Sequence, residues 1–152
     1  MPAAEALPGD CPFCAILAGD LPASIVCQDD GVVAFMDLRQ AVPGHVLVVP
    51  RQHVETLYDL DEDSAAALMR MAVRVAKAAR ATFDPAGLNL WQSNGEAGGQ
   101  EVPHVHLHVQ PRQPGDGLLQ VYPGGLPGPA PRPQLDAWAA RLRQALRTPR
   151  PS

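Results

Sequence analysis

Hydrophobic positions along the chain follow two different periods. From Asp61 to Phe83 they recur at helical spacing, and Leu68, Met69, Ala72, Val75, Ala76 and Ala79 make one apolar face. Asp61 is placed to cap this helix, and Glu62 and Asp63 sit in its first turn. Arg74, Lys77 and Arg80 lie late, so each sign of charge falls where the helix dipole favours it. Elsewhere the apolar runs are short. Ser24 to Cys27, Val32 to Met36, His45 to Val49, Leu88 to Gln92 and Val102 to Gln110 read as strands. Asp29-Asp30-Gly31 is a hairpin signal between the first two. Pro43-Gly44 turns into the third, which Pro50 ends.

Cys11 to Ala18 reads as one or two helical turns closed by Gly19-Asp20-Leu21-Pro22. Pro111 to Pro133 is crowded with Pro and Gly and predicts an irregular surface arm. Gln134 to Arg147 returns to helical spacing through Leu135, Trp138, Leu142 and Leu146. The pattern therefore predicts a mixed α+β domain over 11–148, with a core at 11–112, the arm at 111–133 and a C-terminal helix at 134–147. Residues 1–10, rich in Ala and Pro, read as a frayed tail. No repeat or second domain is visible, and 152 residues suit one domain.

Composition narrows the ligand more than the fold. No run of about 18 apolar residues exists, so no membrane span is expected. Residues 1–10 have no basic or apolar leader segment, which points to a cytoplasmic protein. The net charge is −4 and the pI about 5.6, which argues against a nucleic-acid polymer as partner. An anionic ligand would have to be drawn by local groups such as imidazoles and backbone N–H groups. Three cysteines, two of them spaced Cys11-x-x-Cys14, fit a reducing compartment. The pair alone reads as a redox couple, half a zinc site or chance. Cys27 reads as a small buried hydrophobe.

Three of the five histidines stand at 104, 106 and 108. In a strand, alternate side chains share a face, so all three imidazoles project together while Val105, Leu107 and Val109 face the core. Such a row can ligate a metal, act as an acid–base and nucleophile cluster, or be an accident of sequence. The loop from Ser93 to Gln100, with Gly95, Gly98 and Gly99, leads straight into it. Glycines let backbone N–H groups approach a phosphate, and the Gln100 amide can hold a phosphoryl oxygen. Imidazole beside phosphate points to phosphoryl or nucleotidyl transfer.

Gly99-Gln100-Glu101-Val102-Pro103-His104-Val105-His106-Leu107-His108-Val109-Gln110-Pro111-Arg112 closely resembles the signature of the histidine triad (HIT) family. Phe35-Met36-Asp37 and the run from Pro43 to Pro50 resemble it too, so the likeness spans about Cys11 to Arg112. It is nearest the bacterial branch related to nucleotide-binding phosphoramidases and diadenosine polyphosphate hydrolases. The resemblance implies an antiparallel sheet of about five strands with one long helix, two protomers pairing into a ten-stranded sheet.

It also implies an enzyme acting at the α-phosphate of a purine nucleotide conjugate. His106 is then the nucleophile that forms a nucleotidyl-histidine, and a nucleoside monophosphate is released. His108, His45 and Gln100 complete the catalytic group. Asp37 meets the ribose hydroxyls, while Ser93, Asn94, Gly99 and Gln100 line the nucleotide. Phe13, Ile16 and Phe35 supply apolar surface for the base. By the same resemblance Cys11, Cys14, His53 and His104 hold a structural Zn2+.

Two positions depart from the family pattern. Ser93 stands where many members carry Asn, and Glu101 where some phosphoramidases carry Ser. They motivate an alternative, a nucleotide-binding or sensory module with negligible turnover. A third reading makes the triad itself the metal ligand set.

Overall fold

The computed structural model describes residues 8–148, and the expected tail over residues 1–7 lies outside them. Pro8–Asp10 forms a 3-10 turn rather than a frayed end. It leads into helix α1, Pro12–Ala18, whose N-cap Cys11 accepts the Cys14 N–H through its sulfur. Five strands follow: β1 Ile25–Gln28, β2 Val32–Met36, β3 Val46–Pro50, β4 Gly87–Trp91 and β5 Leu107–Arg112. Helix α2, Glu62–Phe83, lies between β3 and β4, and α3, Arg132–Arg147, follows β5. The chain forms two compact units, one ending at Asp116 and one beginning at Gly117, and the second contains α3.

The strands make one antiparallel sheet in the order β1-β2-β3-β5-β4. The hairpin at Gly31 forms because Asp29 Oδ1 accepts both the Gly31 and Val32 N–H groups at 2.9 Å. The sheet is covered on both faces. On one, Val32, Ala34, Val46, Val48 and Val109 pack with Leu68, Met71, Ala72 and Val75 of α2. On the other, Val33, Phe35, Leu47 and Val49 pack with Phe13 of α1 and its N-cap Cys11. Double coverage explains why β2 and β3 read as continuous apolar runs rather than alternating ones. Cys27 is only half-buried, at the margin of the first cluster.

Helix α2 starts where expected, with the Asp61 carboxylate accepting the Ser64 N–H at 2.8 Å. Its apolar face needs one correction. Met71 is buried and Met69 is half exposed. Leu68, Met71, Ala72, Val75 and Ala79 form a stripe spaced three and four apart, and Met69 lies about 100° round the helix from Leu68.

The histidine strand also begins later than its alternation predicts, at Leu107 rather than Val102. Pro103 has no N–H for a ladder, His104 N–H turns back to the Val102 carbonyl at 2.8 Å, and Val105 N–H bonds Val54 in a loop at 2.7 Å. Pairing with β3 therefore covers only Leu107, His108 and Val109. The facing is nonetheless as expected for the strand proper. His108 lies opposite Leu47, on the α1 side, and Val109 lies opposite Val46, on the α2 side.

Candidate active site and metal centre

His106 and His108 stand side by side, with ring centroids 4.8 Å apart. His106 is buried, and its Nδ1 lies 2.7 Å from the His104 carbonyl. A carbonyl only accepts, so Nδ1 carries the proton and the Nε2 lone pair is left free. Burial pushes the His106 pKa below the ordinary 6.5, against the opposing pull of the His104 carbonyl and of the Asp37 and Glu101 charges. The neutral, nucleophilic ring is thus the form favoured at pH 7.

His108 is held on two sides. The Trp91 ring stacks on it at 4.3 Å and 2°, and its Nδ1 lies 2.9 Å from His45 Nε2. Register makes the stack, because Trp91 is the Cα partner of His108 across β4 and β5. Burial, then the neighbouring His106 and His45, push the His108 pKa down to about 4. His45 is lowered by burial, in opposition to Asp37, whose Oδ2 is 3.8 Å from His45 Nδ1. One proton can lie between the facing nitrogens of His45 and His108, so they act as a coupled pair.

Asp37 follows the last residue of β2 and His45 precedes the first of β3, and the loop between them is organised by Gln40. Its Nε2 donates to the Asp37 and His45 carbonyls at 2.7 and 2.8 Å. Its Oε1 accepts the Gly44 and His45 N–H groups at 2.9 and 3.1 Å. Sequence reasoning missed both Gln40 and Trp91. Trp91 was legible as a strand residue whose partner depended on register, whereas a loop glutamine carries no pattern.

The Gly-rich loop is braced from within. Gln100 Oε1 accepts the Gly95 N–H at 2.8 Å, and its Nε2 donates to the Glu55 and Val102 carbonyls at 2.7 and 3.0 Å. Asn94 is engaged similarly, accepting the Leu57 N–H at 2.6 Å and exchanging hydrogen bonds with Gln92. Gly99 has φ +80°, which a side chain would disfavour. Ser93 is half-buried beside them. Glu101 reaches Arg39 at 3.6 Å, an exposed pair of small energetic weight. Ile16 lines a shallow hollow of about 220 Å³ with Ile25 and Val33, and no imidazole lines it. Phe13 and Phe35 are core residues, stacked edge-on at 5.5 Å.

The remaining two histidines meet the cysteine pair. Cys11 Sγ lies 3.4 Å and Cys14 Sγ 3.7 Å from His104 Nδ1, and Cys14 Sγ lies 3.3 Å from His53 Nδ1. One ligand atom from each of Cys11, Cys14, His53 and His104 falls within 4.8 Å of the others. The His104 tautomer suits a metal. Its Nε2 donates to the Pro50 carbonyl at 2.8 Å, which leaves the Nδ1 lone pair aimed at the sulfurs. Burial, then hydrogen bonding and charge from Cys11, push the Cys14 thiol up to about 11. The donor set of two sulfurs and two imidazoles fits one tetrahedral ion. Phe13 packs edge-on against both His104, at 5.8 Å, and His106, at 5.1 Å. The cysteine–histidine cluster and the candidate nucleophile thus share a wall.

The HIT domain profile matches residues 18–115. The chain is 41% identical over 114 residues to the protein hit of Bacillus subtilis, covering 74% of this chain and 79% of that one. It is 33% identical over 102 residues to the adenosine 5'-monophosphoramidase hnt1 of Schizosaccharomyces pombe, covering 67% and 74%. Among solved structures it is similar to a Zn-bound histidine triad family protein from Mycobacterium smegmatis. That likeness has TM-score 0.69 and 33% identity, and covers 91% of this chain and 99% of the other.

Proposed function

Because the chain belongs to the HIT domain family, we propose that it hydrolyses or transfers at the α-phosphate of purine nucleotide conjugates. Dinucleoside polyphosphates and nucleoside phosphoramidates are the substrate classes. The observation that carries this reading is the His106 ring, buried, with Nδ1–H fixed on the His104 carbonyl and Nε2 free beside His108. The Nε2 lone pair attacks the α-phosphorus, a P–N bond forms, and the bond to the leaving group breaks. The leaving group takes a proton from solvent, and water then cleaves the nucleotidyl-histidine to a nucleoside monophosphate and the neutral ring, returning one proton to solvent.

His108 and His45 orient the phosphoryl oxygens as a coupled pair. Asp37 accepts the ribose hydroxyls, and Ile16 offers apolar surface to the base. Gly99, Ser93 and Asn94 shape the phosphate loop. The Gln100 amide, fully engaged by backbone partners, supports that loop first and reaches the phosphate only if one bond is exchanged.

Cys11, Cys14, His53 and His104 hold a Zn2+ ion, which when bound ties the segment before α1 to the residues before β5. A homodimer is proposed as well, supported by edge strand β4, where Leu88 and Leu90 are exposed. The setting is cytoplasmic, and among the described residues no helix is long and apolar enough to cross a membrane.

A panel of dinucleoside polyphosphates, adenosine phosphoramidates and nucleotide sugars, read out as released monophosphate, tests the reaction class. No release from any of them refutes it. Ser93, Glu101 and the engaged Gln100 favour one competing reading, a nucleotide-binding module without turnover. AMP binding that survives in His106→Asn, with no turnover in the parent, would establish that reading instead.

A further inference from the structure

The residues that align the phosphate also have the make-up of a metal site separate from the cysteine cluster. Asp37, His45 and His108 each offer one ligand atom, and these atoms lie within 4.8 Å of one another. His45 Nε2 faces His108 Nδ1 at 2.9 Å across a single shared proton. Two imidazole nitrogens bound to one tetrahedral ion are about 3.3 Å apart, given Zn–N bonds of about 2.0–2.1 Å. Exchanging that proton for an ion therefore asks the rings to part by a few tenths of an ångström and to turn, so that both lone pairs meet at a point off the line between the nitrogens. The ring of His108 can slide in its own plane because its neighbour is the parallel face of Trp91. Asp37 has one oxygen, Oδ1, anchored by the Arg39 N–H at 2.7 Å, and its Oδ2 lies 3.8 Å from the other nitrogen of His45, Nδ1, so the free oxygen must swing to the Nε2 side to join the ion.

Two neutral imidazoles and one carboxylate form a three-ligand set that leaves a coordination position open, and Zn2+ suits that set. Without thiolate ligands it binds more weakly than the Cys11, Cys14, His53 and His104 cluster. We propose that Asp37, His45 and His108 form a second, weaker Zn2+ site whose occupation excludes the nucleotide. The exclusion rests on the assignment of these three residues to ribose and phosphate made above, whereas the metal site itself does not. Free zinc thereby becomes an inhibitor competitive with nucleotide, while zinc at the cysteine cluster is part of the fold.

Cobalt and zinc titrations of the metal-free full-length chain test this. The expected result is two equivalents of Co2+ per chain. The first brings a thiolate-to-metal charge-transfer band, and the second brings only ligand-field absorption. AMP should raise the apparent Kd of the second Zn2+ by about tenfold or more and leave the first unchanged. Asp37→Asn and His108→Asn should each weaken the second equivalent by about 10–100-fold, with the thiolate band of the first reporting an intact fold. A single equivalent, abolished in Cys11→Ser/Cys14→Ser, overturns the proposal, as does a second equivalent that persists unchanged in Asp37→Asn and His108→Asn. A second Zn2+ that depends on these residues but is not displaced by AMP overturns the exclusion. That result would also count against the nucleotide assignment, while the metal site would stand.

Discussion

Gln40→Ala tests whether the loop between β2 and β3 is a positioning device. The wild-type amide joins four backbone groups, the Asp37 and His45 carbonyls and the Gly44 and His45 N–H groups. Two of the four groups belong to His45, and one belongs to Asp37. A hydrogen bond contributes about 0.5–1.5 kcal/mol net, and the exposed side chain leaves room for water to replace it. The expected loss of stability is therefore about 2 kcal/mol, below the sum of four full bonds. The catalytic effect should be larger than that suggests. A displacement of about 1 Å at aligned groups can cost about 100-fold in rate, so kcat/KM should fall by about 10–100-fold. Urea unfolding gives the first quantity and steady-state monophosphate release the second. Gln40→Glu supplies the control, since it keeps the acceptor for Gly44 and His45 but removes both donors. Its carboxylate sets a second acceptor against the Asp37 and His45 carbonyls, so it should be no more stable than Ala. If Gln40→Ala keeps kcat/KM within about twofold while losing the expected stability, the loop does not position Asp37 and His45.

Three other consequences are open to measurement. At Gly44, φ is +105° and an added Cβ would lie 2.8 Å from the Phe83 ring and 2.9 Å from Pro111, which is buried and cannot move aside. Gly44→Ala should cost about 2–5 kcal/mol from strain and overpacking together, against about 1–2 for Gly115→Ala. The latter has a similar positive φ and open space. Equal urea midpoints for the two variants would refute the packing argument.

Because the His108 pKa is held at about 4 against an ordinary 6.5, its contribution to stability is present above pH 6.5 and declines as pH falls towards 4, where the unfolded chain takes the proton first. The ceiling of about 3 kcal/mol is reduced by the part of the ring left in solvent, to about 1–2 kcal/mol. The loss of stability between pH 7 and 5 should be smaller by about 1 kcal/mol in His108→Asn, and an unchanged slope would refute it. Replacing Cys11 and Cys14 by Ser should lower Tm by about 5–10 °C more in zinc-containing buffer than in chelator, the equivalent of about 2.7 kcal/mol of bound-ion stabilisation.

The parts of the fold that were legible in sequence are those with local causes. Asp61 caps α2 and Asp29 closes the β1–β2 hairpin through neighbours within three residues. β2 was legible to the residue because its ends carry a turn signal and a carboxylate. The start of β5 was not, because it is set by the Val105 N–H finding Val54, about fifty positions away, instead of a strand partner. Alternation still placed His108 and Val109 on opposite faces.

Of the site, the imidazoles were conspicuous because three polar rings have no reason to line a core. Their division of labour came only from the family resemblance; its physical basis, which carbonyl holds each ring, Pro50 for His104 and His104 itself for His106, needs the folded chain. Gln100 was identified as a phosphate donor from its chemistry alone, and the three backbone groups that engage its amide are visible only once the loop is folded.

The most direct test of the central claim is rapid quench of the protein with a labelled dinucleoside polyphosphate or adenosine phosphoramidate, followed by mass mapping of the 104–108 segment. The account predicts a nucleotidyl adduct on His106 that forms and decays at rates compatible with turnover, and none in His106→Ala. Monophosphate release that proceeds at parental rate in His106→Ala, or an adduct on His104 or His108 instead, would contradict it.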